Sequence, residues 1–249
     1  MSGRRWSEWT PCSASTQGDT VDLKEILFEL SVWTIPVLLA ITLHEAAHGF
    51  VAWRLGDDTA HRLGRVTINP LRHIDPFGTI LLPAMLLFLS GGRLMFGFAK
   101  PVPVNFMRLR RPRRDMVWVA AAGPGANLVM AFTAAALFHI VPALPEEFGR
   151  WVLYNLHNGI WINVLLAVFN MLPIPPLDGG RVAVGLLPLP LARAVQRLER
   201  FGFVIIIGGV FLLPWIGSKV GLDLNVFNWL VVTPALYLSE MILRVFGVS

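Results

Sequence analysis

"ITLHEAAHGF", residues Ile41 to Phe50, puts two histidines and a glutamate at the end of an apolar run long enough to enter a bilayer. On a helix, His44 and His48 project from one face, because positions four apart are neighbours on the helix surface. Two imidazoles at that spacing can grip one metal ion. Glu45 is rotated from His44 by about 100°, where its carboxylate can reach a water at the metal without being a ligand. The pattern is H-E-x-x-H, whose chemistry is zinc binding plus a glutamate general base. Such a metal lowers the pKa of water toward ~7, and the glutamate takes up the proton and passes it to a leaving amine. The rival reading is a pair of helix-end histidines near lipid headgroups with an incidental glutamate. Against it, an ionisable group costs roughly 2.5–3.5 kcal/mol at the centre of a membrane helix and less near its end. Three polar side chains on one turn therefore call for a partner.

The rest of the chain agrees with a membrane setting. Of 249 residues, 55% are hydrophobic and only 15% charged, with a mean hydropathy of +0.60. A soluble domain is nearer one quarter charged, so the composition reads as an all-α polytopic membrane protein. Lys and Arg total 21 against 16 Asp and Glu. In this setting the excess reads as basic cytoplasmic loops facing anionic lipid, and not as a nucleic-acid surface. Cys12 stands alone, which excludes an intrachain disulfide and a cysteine metal cluster. Residues 1–22 form a polar tail holding Arg4 and Arg5 but no short apolar core with a small-residue cleavage site. No cleavable signal peptide is expected, and the first apolar run reads as a permanent anchor.

About five spans are expected. The first runs from about Leu23 to Trp53 and is kinked by Pro36. Residues 56–75 are polar and Arg-rich, and "RLGRVTINP" has the alternation of a short hairpin. Phe77 to Leu89 is apolar but too short to cross upright, since roughly 20 residues are needed. With the Gly- and Pro-rich stretch after it, Pro76 to Asn105 reads as a re-entrant hairpin. "MRLRRPRRD", Met107 to Asp115, is the strongest cytoplasmic marker. Spans follow at 116–141, 151–172, 201–216 and 227–246, with an interfacial amphipathic helix carrying Arg181, Arg193, Arg197 and Arg200. The dense arginine loops then all fall on one side. The organisation expected is a tail, 1–22, and one membrane-embedded domain, 23–249.

A catalytic zinc usually has three protein ligands and one open position. His61 and His73, in the loop after the first span, read as loop residues, and His139 and His157 lie near the opposite face. Asp178 is the better third ligand. It follows an apolar span in "NMLPIPPLDGG", whose Pro173, Pro175 and Pro176 break helical hydrogen bonding, and Gly179 and Gly180 let the backbone turn tightly. Unwound backbone at that depth is tolerated where it lines a cavity. The competing role for Asp178 is a helix N-cap. In "GPGAN" the small residues read as helix packing, and Asn127 as a contact to substrate or to another helix.

These motifs together resemble the site-2 protease family of intramembrane zinc metalloproteases. The carriers are His44-Glu45-x-x-His48 in the first span and Asn170-x-x-Pro173-x-Pro175-x-x-Asp178-Gly179 after a later one. "AAAGPGAN", Ala120 to Asn127, resembles the family's Gly-Pro-x-x-Asn element, and "FGFAKPVPVN", Phe96 to Asn105, a segment of its compact bacterial branch. The resemblance covers roughly Ile26 to Gly185, with accessory helices at about 201–246. It implies a three-helix catalytic core in a bacterial inner membrane, with the active site toward the cytoplasm. It also implies one Zn2+ per chain on His44, His48 and Asp178, with Glu45 as general base and Asn170 as a substrate or oxyanion contact. The substrate would be a transmembrane segment of another protein. No stretch within this sequence is long enough for a PDZ insert, and no soluble sensor domain follows Phe246. The Pro/Gly-rich segments 96–105 and 170–180 are expected to offer unpaired backbone to an unwound substrate. Two other readings stay open at this point: a membrane-embedded scaffold or chaperone that holds a metal without catalysis, and a transporter with a polar path through His44, Glu45 and Asp178.

Overall fold

The computed structural model describes residues 23–81, Met85 and residues 100–248. Among them the chain is helical, with no strand. Helix α1 is Leu23–Arg54 and α2 is Thr59–Arg62. Helix α3, Pro112–Leu137, runs on into a 3-10 stretch, Phe138–Ala143, and α4 is Glu146–Asn170. The short α5, Asp178–Leu186, leads into α6, Leu189–Ile207, which continues through the π turn Gly208–Leu212 into α7, Leu213–Val220. A further π turn, Asn228–Val232, opens α8, Thr233–Val245.

Four of these helical stretches are long and apolar enough to cross a membrane: Leu23–Arg54, Pro112–Ala143, Glu146–Asn170 and Leu189–Val220. Their outer faces are apolar too, with Leu39 50%, Val129 66% and Val204 68% exposed. Helices hydrophobic all round suit lipid and not water. The expected fifth span, 227–246, is helical but carries Glu240 and Arg244 and is not one of the four. Of the expected interfacial helix, Arg181 lies on α5, and the part carrying Arg193, Arg197 and Arg200 runs on into the next span as one helix, because nothing between Arg200 and Phe201 breaks backbone bonding. The expected hairpin over "RLGRVTINP" is absent. Gly64 takes a positive φ of 63°, Arg65 N–H bonds back to Ala60 O, and the chain turns instead of extending. Most of the expected re-entrant hairpin lies outside the described residues.

Helices α1, α3 and α4 pack on one another, α5 lies on α3, and α8 closes against α4. Small residues allow this. Ala131 and Ala135 of α3, with Ile160 and Val164 of α4 and Ala235, Ile242 and Leu243 of α8, form a fully packed cluster. Pro36 deprives the Val32 carbonyl of its helical donor. Asn158 of α4 supplies one, its Nδ2 lying 3.0 Å from Val32 O. The carbonyl freed by Pro36 thus becomes a tie between α1 and α4, and Trp151 Nε1 donating to Ser31 Oγ at 2.9 Å adds another.

Candidate metal centre

The three-helix core brings His44, His48 and Asp178 together from α1 and the start of α5. His44 Nε2 and His48 Nε2 are 3.0 Å apart, and Asp178 Oδ2 lies 3.2 Å from the first and 3.3 Å from the second. All three residues are less than one tenth exposed. Asp178 reaches α1 because Gly179 and Gly180 fold the start of α5 tightly onto the proline-rich turn. A Cβ on Gly180 would lie 2.8 Å from Ile174 C and Pro175 Cα. Leu177 is the N-cap of α5 and Asp178 the first residue inside it, so the capping role is not the one Asp178 takes.

Hydrogen bonding fixes the imidazoles. His48 Nδ1 is 2.7 Å from the Val119 carbonyl, which only accepts, so Nδ1 carries the proton. Asn127 Nδ2 donates to Asn163 Oδ1 at 2.8 Å and to Ala40 O at 3.3 Å, which turns its Oδ1 toward His44 Nδ1 at 2.6 Å. His44 Nδ1 therefore also donates. In the neutral imidazoles both Nε2 atoms then present lone pairs, and they converge on a carboxylate oxygen that is buried without a hydrogen-bond partner among the described residues. Three acceptors facing one another repel unless a proton or a metal cation lies between them. The donor set, two imidazole nitrogens and one carboxylate oxygen, suits zinc, and a donated Nδ1–H is the usual support of a metal-binding histidine. The site fits the metal that H-E-x-x-H implies. Gly123 makes room for it, since a Cβ there would lie 2.6 Å from His44 Nε2.

Glu45 lies beside this group, with Oε2 accepting from Val102 N–H at 2.7 Å. The other candidate residues lie elsewhere. His61 stacks on Trp53 with ring centroids 4.1 Å apart, and buried His73 bonds Thr67 O at 3.0 Å. His139 bonds Phe246 O, and His157 sits half-buried on α4. Asn170 ends α4 and gives an Nδ2 hydrogen to Leu166 O at 3.1 Å. Asn127, read as a contact to substrate or to another helix, is fully buried with both ends of its amide engaged by His44, Ala40 and Asn163. Within residues 100–105, where unpaired backbone was expected, the Lys100, Val102 and Asn105 N–H groups are bonded to His73 O, Glu45 and Asp57.

Sequence reasoning missed Asn163, the Val119 carbonyl and the Val102 amide. Asn163 had a signal, as one of the amides inside an apolar span. The other two are backbone groups, which a sequence does not mark.

Comparison with known proteins agrees with this geometry. Residues 148–213 match the family model described as Peptidase family M50. The chain is 39% identical over 194 residues to a Bacillus subtilis protein provisionally named zinc metalloprotease YwhC, covering 75% of this chain and 82% of that one. It is 32% identical over 174 residues to one provisionally named zinc metalloprotease Rip2 in Mycolicibacterium smegmatis, covering 68% of this chain and 62% of the relative. With the archaeal MJ0611 of Methanocaldococcus jannaschii, provisionally named a zinc metalloprotease, it shares 42% identity over 116 residues, 45% of this chain and 56% of the other. No solved structure matches. With apolar membrane-length helices around a His-His-Asp group, and a relative of which it covers four fifths at this identity, the chain belongs to peptidase family M50, the site-2 protease family of intramembrane zinc metalloproteases.

Proposed function

We propose that His44, His48 and Asp178 hold the zinc, that Glu45 is the general base, and that the substrate is a transmembrane segment of another protein. The observation that carries the assignment is the convergence of His44 Nε2, His48 Nε2 and Asp178 Oδ2 on one buried point, with each Nδ1 engaged by Asn127 Oδ1 or Val119 O. Bound there, zinc supplies a Lewis acid that makes water acidic enough to ionise near neutrality. Glu45 accepts a proton from the attacking water as its oxygen adds to the scissile carbonyl carbon. It then delivers that proton to the amine nitrogen as the C–N bond breaks. The apolar helices packed around His44, His48 and Asp178 leave each residue less than one tenth exposed, which limits the access of bulk water. Asn127 positions His44 and does not meet the substrate. The Asn170 amide has two hydrogens, of which Leu166 O takes one; the other is the substrate or oxyanion contact.

The catalytic core is about 26–185, within one membrane-embedded unit, 23–249, to which 201–246 is accessory. The host membrane is a bacterial inner membrane, and the site faces the cytoplasm. Two facts support that orientation. His44 lies about three turns from Arg54 at the end of α1, and the arginines of 107–115 and 181–200 gather at the same end.

The test is reconstitution with a panel of single-span substrates. Wild type is expected to cleave at least one of them and to stop when zinc is chelated, and Glu45→Gln to bind zinc without cleaving. Cleavage by Glu45→Gln at the wild-type rate would remove Glu45 from the role. Zinc-loaded wild type that cleaves nothing would favour a metal-holding scaffold.

A further inference from the structure

We infer that the extended segment Lys100–Asn105 is a clamp that sets the orientation of Glu45, with the Val102 amide and the Asp57 carboxylate as positioning groups. This rests on Glu45 being the general base.

The clamp is anchored at both ends by buried groups. At one end, Arg65, 9% exposed, donates to Lys100 O at 2.7 Å, and Lys100 N–H reaches His73 O at 3.0 Å. At the other, Asp57 Oδ2 accepts Asn105 N–H at 2.6 Å. Asp57 is completely buried, and no ion pair neutralises it among the described residues; Thr59 supplies its other donors. A buried carboxylate with only hydrogen-bond donors is costly, and what this one fixes is the backbone of the clamp. Between the anchors, Val102 sits in a notch on α1 next to the metal centre. A Cβ on Gly49 would come within 3.1 Å of Val102 Cγ1, so the glycine after His48 gives the clamp room beside α1. Pro101 and Pro103 fix φ on either side of Val102 and carry no N–H. Val102 is therefore the donor that meets α1, and it meets Glu45 Oε2 at 2.7 Å.

The chemical consequence is a division of labour within one carboxylate. Oε2 is held by the amide, and Oε1 is the oxygen that exchanges the proton with water and amine. A freely rotating glutamate would spend much of its time misaligned, and small misplacements of a catalytic group cost large factors in rate. Loss of the clamp should lower kcat while leaving KM and zinc content in place, because neither a ligand nor a substrate contact is removed.

The experiment compares Val102→Pro, which deletes the one N–H, with Asp57→Ala and Asp57→Asn in the full chain, on a substrate that wild type cleaves. Val102→Pro and Asp57→Ala are expected to lose at least tenfold in kcat with KM and zinc content near wild type, and Asp57→Asn, which keeps an acceptor, to recover part of the loss. Val104→Ala, which trims packing only, is expected to stay within about threefold. Hydrogen exchange needs no substrate and applies even if Val102→Pro does not accumulate: the 100–105 amides should lose protection in Glu45→Ala. Full kcat in Val102→Pro beside an inactive Glu45→Gln would overturn the clamp and leave the general base standing. An active Glu45→Gln would overturn both. Unchanged protection of 100–105 in Glu45→Ala, or loss of zinc in parallel with kcat in both Asp57 variants, would also overturn the clamp.

Discussion

Asn127 Oδ1 lies 2.6 Å from His44 Nδ1, joining residues 83 positions apart on α3 and α1. The bond decides which nitrogen of His44 keeps its lone pair, and Asn163, 2.8 Å behind Asn127, decides which way the amide points. A chain of neutral groups on α4, α3 and α1 thus prepares a metal ligand without a second buried charge.

Removing that support should weaken metal binding without unfolding the protein. Asn127→Ala is expected to lower zinc affinity about 10–100-fold, the usual cost of losing a partner of a ligating histidine. Competition with a chelator of known affinity measures it. Asn163→Ala should act in the same direction and less strongly, since it frees the Asn127 amide to rotate without deleting it.

Gly123 should tolerate no side chain. A Cβ there meets His44 Nε2 at 2.6 Å, whereas one on Gly125 meets nothing within 4 Å. Gly123→Ala is expected to abolish zinc retention and cleavage with helix content unchanged by circular dichroism. Gly125→Ala should match wild type in both. Equal behaviour of the two variants would remove the close approach of α3 as an explanation.

Asn158 should matter to stability and not to chemistry. Its bond to Val32 O serves the carbonyl orphaned by Pro36, and interhelical hydrogen bonds in membranes are worth about 0.6 kcal/mol on average. With a buried carbonyl left unpaired, Asn158→Leu should cost about 1–2 kcal/mol, seen as a lower unfolding midpoint in detergent with zinc still bound.

The grouping of His44, His48 and Asp178 and the helical class were legible in sequence because their signals are local. H-E-x-x-H needs only the helix period, and Asp178 announces itself by three prolines before it and two glycines after it. What was not legible depends on backbone groups and on helix continuity. Val119 O and the Val102 amide carry no side-chain mark, and Asn127 was open between a contact to substrate and one to another helix because nothing in "GPGAN" says which face α3 turns to α1. The join at Arg200–Phe201 was misread because an amphipathic pattern and an apolar one can share a helix without a break. The hairpin expected at 62–70 failed because alternation over a few residues does not outweigh a glycine at positive φ.

Zinc content of the detergent-purified protein, wild type beside Asp178→Ala, decides whether α1 and α5 form one site. About one zinc per chain in wild type, lost or much weakened in Asp178→Ala, is the result expected from Oδ2 lying within 3.3 Å of both histidines. Equal zinc in the two proteins, or none in freshly purified wild type, would contradict it.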